Sequence, residues 1–243
     1  MSHDQAATAP AVRMHAITDE TTQIVDMVLE YARRRILSED TPLDKPFTPA
    51  ELRRLAGQTI SEGGMAIGAF DDSVLIGAVY GFATRDPHVL HSHYMAVDPA
   101  YRRLGLGATL KHRQRDWCLA NGVTAMRWTY DPLQITNAHL NLRTLQAVGV
   151  GYHVNHYGDL GGINGSLPSD RVTVFWQLVD DRPAVTEHTT VDVPAVTVEQ
   201  IAASSTEAHH ARHVVRDAFT ALFADGWRIT DVDRVQRRYT FSR

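Results

Sequence analysis

Apolar and polar positions alternate along much of this chain with a period that changes from two to about three and a half, and the changes mark its elements. VRMHAI (12–17) predicts a first strand. From Thr18 to Leu37, Ile24, Met27, Val28, Tyr31 and Ile36 recur at helical spacing, with Asp19 and Glu20 in the first turn, where a helix dipole favours acids. SEDTPLDKPF (38–47) is a loop, and Thr48-Pro49 predicts an N-cap and first position opening a second helix to about Glu62. MAIGAFDD and SVLIGAVYGFAT meet at Asp71-Asp72-Ser73 and predict a β-hairpin, and HVLHSHYMAV (88–97) predicts a further strand closed by Asp98-Pro99.

The second half continues in the same code. Gly105 to Asn121 predicts a helix ended by Asn121-Gly122, AMRWTY (125–130) a strand, and ITNAHLNLRTLQAV (135–148) a helix. The stretch 152–171 is glycine-rich, polar and irregular, and VTVFWQLV (172–179) is a strand. Past Arg182-Pro183 the pattern loosens, then Ser204 to Ala224 forms an amphipathic helix and WRITDVDRVQRRYTFSR offers strand-like ends.

Composition narrows the class. The 243 residues, 44% apolar and 21% charged, describe a globular chain of one domain with an extension or of two domains. A net charge of −4 disfavours sequence-independent nucleic-acid binding. Cys118, the single cysteine, rules out an internal disulfide and predicts an inert buried thiol. Neither a membrane span nor an apolar leader segment is evident, and the expected location is the cytoplasm. His209 and His213 have zinc-helix spacing but lack the glutamate and a third ligand, and no metal is expected.

The segment with most chemical content is AYRRLGLGATLKHRQ (100–114), a short turn between strand and helix. Glycines let successive N–H groups converge without a Cβ in the way, and a helix N-terminus adds partial positive charge, so an anion belongs there. Two phosphate motifs fail. A P-loop needs Lys-Ser or Lys-Thr after its last glycine, where this chain has Ala108-Thr109, and a dinucleotide fingerprint needs a third glycine where it has Leu110.

Read from Val97 to Gly107, the stretch VDPAYRRLGLG resembles the acyl-CoA pyrophosphate loop of the GCN5-related N-acetyltransferase (GNAT) superfamily, Arg or Gln, two residues, Gly, one residue, Gly or Ala. The order of elements before it is similar too, and the resemblance covers about residues 12–180. It implies a GNAT-type α/β acyl-CoA N-acyltransferase fold with a mixed, mostly antiparallel sheet flanked by helices. On that reading 1–11 is a flexible tail, 12–182 the acyltransferase domain, and 183–243 a helix-strand extension packed on the same domain. It implies acetyl-CoA or another acyl-CoA as co-substrate, held by Ala96, Val97, Arg102, Leu104, Gly105, Leu106, Gly107, Ala108 and Thr109. The implied reaction moves an acetyl or other short acyl group to the primary amine of a small molecule, with neither nucleic acid nor membrane as partner; a homodimer is compatible with it. Trp128 to Gln134, Asn137, Asn141, Asn155 to Gly158 and Leu167 to Arg171 also resemble a bacterial branch that includes amino-acid N-succinyltransferases, so succinyl-CoA and an amino acid form one alternative. A non-catalytic acyl-CoA sensor is another.

The chemistry needs a base for the ammonium proton, donors for the oxyanion and a proton source for the thiolate. Strand alternation places His91 and His93 on one face with Met95 and Val97, and Ser92 with Tyr94 on the other. Either histidine suits the base, with a rate expected to rise near pH 6–7. Asp131 orients a histidine or holds the ammonium, or else serves a turn. Asn137 and Asn141, four apart, share a helical face and could bond the pantetheine. The tyrosine common on this helix in the superfamily falls here near Leu142, which leaves Tyr152 and Tyr157 as the nearest acids in sequence. Asn155, His156 and Arg171 are expected to contact substrate, with Arg171 reading a carboxylate or only fixing the loop.

Overall fold

The computed structural model describes residues 13–16, 63–72, 74–158, 166–179 and 186–243. The expected tail 1–11 and the expected helices at 18–37 and 48–62 lie outside the described residues.

Ten strands form one sheet: β1 (Arg13–Ala16), β2 (Met65–Asp71), β3 (Val74–Ala83), β4 (Val89–Val97), β5 (Ala125–Tyr130), β6 (Val148–His153), β7 (Arg171–Gln177), β8 (His188–Asp192), β9 (Arg228–Asp233) and β10 (Arg238–Ser242). Their order is β1-β2-β3-β4-β5-β7-β6-β9-β10-β8. Only β4 and β5 pair in parallel, because α1 (Leu106–Ala120) carries the chain across between them; the other pairs are antiparallel. The hairpin β2–β3 turns at Asp72, whose φ is +51°.

Leu106, Leu110, Lys111, Gln114 and Cys118 make the buried stripe of α1, at the spacing expected of one helix face. They pack on β2, β3 and β4. A second helical layer comes from α4 (Thr206–Ala224), capped by Ser205, whose Oγ accepts the Ala208 N–H. Its Phe219 is fully buried against Tyr152, Tyr239 and Phe241.

Three expectations are corrected. Residues 135–148 are not one α-helix: α2 (Ile135–Ala138) continues as a π-turn over His139–Thr144, and Leu145 N–H bonds the Leu140 carbonyl five residues back. Residues 148–153 form strand β6 instead of helix end and loop. The stretch after 183 is more ordered than its composition suggests, holding β8 and the capping-box helix α3 (Val198–Ala202).

Candidate active site

β4 ends where the loop begins. Asp98 Oδ1 accepts the Ala100 N–H at 2.8 Å, starting a single 3-10 turn over Pro99–Tyr101, and the Tyr101 hydroxyl donates to Asp71. Arg102 ties the turn back to the strand, its Nε donating to the Val97 carbonyl at 3.1 Å. The chain then reverses through two left-handed residues, Arg103 (φ +65°) and Gly105 (φ +82°). The first bond of α1 is Thr109 N–H to the Gly105 carbonyl, so the amides of Leu106, Gly107 and Ala108 have no acceptor within the helix, and Gly105 offers no side-chain cap. Gly107 is ordinary helix. A Cβ there would stand 3.6–3.9 Å from Met95, Val97 and Leu140, so packing does not demand glycine. The amides without helical acceptors and the bare glycine beside them fit a pyrophosphate.

Beside this loop the sheet comes apart. β4 and β5 pair only at Val89–Ala125, Leu90–Met126 and His91–Arg127. Beyond that row Ser92 to Val97 have no partner on β5, and Trp128 to Tyr130 pair only with β7. A wedge therefore opens toward the loop and closes at His91 and Arg127. Extended backbone that has no strand partner across a wedge can bond an extended amide-bearing chain, which is what pantetheine is.

The alternation expected along β4 is interrupted. Tyr80 faces Tyr94 and Gly81 faces Ser92, so His93 is the extra residue of a β-bulge. The close approach needs glycine at 81, where a Cβ would come within 2.7 Å of the His91 carbonyl. The bulge moves Met95 and Val97 onto the α1 side with Ser92, and puts Tyr94 with His91 and His93. On that second face the rings pack together: His91 stacks on Phe82 at 4.8 Å, and His93 sits 5.2 Å from Phe82 and 5.3 Å from Tyr80. Burial first, then the charges of His93, Arg127, Lys111 and His156, pull the His91 pKa down to about 4, and burial also lowers His93. Both imidazoles are neutral at pH 7.

On the α1 side the throat of the wedge holds a cluster that the sequence reading passed over. Lys111 Nζ donates to Ser92 Oγ at 2.5 Å and to Gln114 Oε1 at 3.4 Å, and Ser92 Oγ donates to Gln114 Oε1 at 2.7 Å. The available signal was Lys111 itself, a charge on the apolar stripe of α1. Cys118, on the same stripe, is fully buried, and burial pushes its thiol up to about 12.

The other expected site residues fall in different places. The π-turn breaks the shared face of Asn137 and Asn141: Asn137 is exposed, while Asn141 is buried and accepts the Trp128 Nε1–H at 3.2 Å. Asp131 is buried in a bidentate pair with Arg212 of α4 (2.8 and 2.7 Å) and also caps the Leu133 N–H, so it touches neither histidine. Tyr152 donates to Asp170 at 2.6 Å, and burial together with that carboxylate raises it far above the usual phenol range. Tyr157 is half exposed and shares a hydrogen bond with Thr129 of β5 at 2.9 Å. Asn155, in a left-handed conformation, stitches the loop limbs through Asp170 Oδ1 and the Ser169 N–H. His156 bonds the Ser169 carbonyl through its backbone, and its ring meets His153 and Tyr157. Arg171 is buried, donating to the Asp170 carbonyl and standing 3.7 Å from Asp131, which is the loop-fixing arrangement.

The model of the acetyltransferase (GNAT) family matches residues 22–140. No curated protein matches the sequence. Among solved structures, the acetyltransferase of the GNAT family from Streptococcus pneumoniae shares 16% identity with a TM-score of 0.54, covering 69% of this chain and 99% of its own. A phosphinothricin acetyltransferase from Sinorhizobium meliloti in complex with AcCoA shares 18% with a TM-score of 0.55, covering 71% and 93%. The Salmonella typhimurium protein yncA, solved with its cofactor acetyl-CoA, shares 15% with a TM-score of 0.53, covering 73% and 98%. With the family match running through the glycine loop to the π-turn, residues 22–140 belong to the GNAT acetyltransferase family, and the chain shares its fold with these structures.

Proposed function

We propose that the protein transfers an acyl group, acetyl as the first choice, from acyl-CoA to the primary amine of a small molecule. The observation that carries the reading is the wedge between β4 and β5 opening beside the uncapped start of α1. The amides of Leu106, Gly107 and Ala108 would hold the pyrophosphate, and the facing edges of β4 and β5, where the two strands no longer pair, the pantetheine. The coenzyme supplies the thioester. The amine nitrogen attacks its carbonyl carbon, the C–N bond forms, the C–S bond breaks, and the sulfur leaves with the electron pair. The nitrogen's proton passes to a neutral imidazole, with His91 and His93 the candidates on the substrate-facing side. Lys111, through Ser92, supplies positive charge near the throat of the wedge, where no tyrosine stands on α2 or its π-turn.

The test is release of free thiol from acetyl-CoA across a panel of amines, together with calorimetric binding of acetyl-CoA. Gly107→Val keeps a helical φ and should abolish binding in a folded protein. Gly105→Val is the poorer probe, because its left-handed φ strains a β-branched residue. Unchanged affinity in Gly107→Val removes the loop from the coenzyme site. Binding without thiol release for any amine leaves a sensor in place of an enzyme.

A further inference from the structure

The row that closes the wedge also opens a pocket. On the side of His91 away from α1, a cavity of about 720 Å³ is lined by Phe82, Val89, His91, Arg127, Val150 and Phe175, with Arg85 at its rim. That is the size of a small-ligand site, with Phe82, Val89, Val150 and Phe175 as its apolar wall and Thr84, Asp86 and Thr173 among its polar groups. Arg127 pairs with His91 on one side and Phe175 on the other, so the three side chains share this face. Arg127 is exposed. It makes no hydrogen bond or ion pair among the described residues, whereas Arg171, Arg212 and Arg216 are all committed to Asp131 or Asp170. Asp86, which also lines the pocket, accepts the His88 N–H through Oδ1.

Building on the acyl-transfer reading, we propose that this pocket is the acceptor site and that Arg127 selects amines carrying a carboxylate close to the reacting nitrogen, as in an α-amino acid with an apolar side chain. His91 and Arg127 are register partners on adjacent strands and line one pocket, so a small ligand can meet both, its amine toward the imidazole and its anion toward the guanidinium. A guanidinium presents paired donors that match a carboxylate, and Phe82, Val150 and Phe175 give the rest of the ligand an apolar seat. Arg171, the arginine that the sequence singled out for this task, is occupied with the loop.

The experiment measures calorimetric binding of L-phenylalanine, L-leucine and L-methionine, each against its decarboxylated amine, to the protein saturated with CoA. The expected result is at least tenfold tighter binding of one or more of the amino acids over the matching amine. In Arg127→Met that ratio falls to about one, and Arg127→Lys recovers part of it. Equal binding of acid and amine, binding of neither, or an equal loss on both in Arg127→Met overturns the proposal. Thiol release with acetyl-CoA and with succinyl-CoA is read alongside. An Arg127→Met defect confined to succinyl-CoA shows the guanidinium reading the donor and also overturns it. Selective binding with no turnover sinks the acyl-transfer reading while the pocket assignment stands, and turnover without discrimination does the reverse.

Discussion

Lys111 Nζ lies 3.8 Å from the centroid of the Trp128 indole, joining α1 to β5 beneath the point where β4 and β5 separate. The lysine is 3% exposed, and its contacts are a hydroxyl, an amide oxygen and the face of a ring. A cation so placed is stabilised by the ring quadrupole but has lost most of its hydration. Burial pushes its pKa down to about 7. The same indole donates to Asn141 in the π-turn, so one tryptophan links α1 with the π-turn.

The first prediction follows from that burial. Lys111 binds fewer protons folded than unfolded between about pH 7 and its ordinary value of 10.5, so its cost to stability is full below pH 7 and relieved as pH rises. Lys111→Met should stabilise the protein by roughly 1–4 kcal/mol at pH 6 and gain little at pH 10, since replacing a buried charge by an apolar side chain is often favourable. Urea denaturation at the two pH values measures this. If the lysine serves the departing thiolate, the same variant loses turnover while acetyl-CoA affinity holds; a gain in stability without that loss makes the lysine structural.

Where side-chain period reports backbone geometry directly, the elements were legible: β2, β3, β5 and α1 lie within a residue or two of where the pattern puts them. The failures have identifiable causes. β6 reads VGVGYH, and Gly149 is small because a Cβ there would come within 2.8 Å of Ile229, so contact with a strand some eighty residues later removed the local strand signal. The π-turn adds one residue to a helical period and thereby separates Asn137 from Asn141. The bulge at His93 does the same to a strand, reversing which residues accompany the histidines. Arg127 and Lys111 were missed for another reason. Each is an ordinary residue type inside a well-read element, and only the neighbours brought by other strands, β4 and β7 for Arg127 and β4 and β5 for Lys111, place one in a pocket and bury the other.

The second prediction concerns the anchor of the C-terminal segment. Arg212 of α4 and Asp131 at the end of β5 form a buried bidentate pair, and removing Arg212 leaves the buried carboxylate only the longer 3.7 Å contact with Arg171. Arg212→Met should therefore cost about 3–5 kcal/mol. Asp131→Asn/Arg212→Met, which removes both charges, should recover part of it. Denaturant midpoints of the three proteins decide the point: a single variant as stable as the parent would mean the pair does not fasten α4 to the sheet.

The last prediction moves the pH dependence expected from sequence to another group. A free histidine base would make the rate rise near pH 6–7, but His91 is held at about 4 by burial and by the surrounding His93, Arg127, Lys111 and His156. Its neutral form is complete well below pH 6, so any further rise in kcat/KM above pH 7 reports deprotonation of the amine substrate, whose pKa is that of an α-amino or alkylamine group, about 8 to 10. The linkage has a definite sign. Because the folded pKa lies below the unfolded value of 6.5, the stability that follows from a neutral His91 is present above pH 6.5 and is lost as pH falls toward 4. NMR titration of the His91 ring should show a midpoint near 4 that moves upward in Arg127→Met, since that guanidinium is one of the charges opposing protonation. His91→Ala should leave the limb set by the amine in place while lowering its plateau if the imidazole takes the proton. A midpoint near 6.5 in the parent, indifferent to Arg127, would show that the ring is solvated and that the two side chains do not share the pocket.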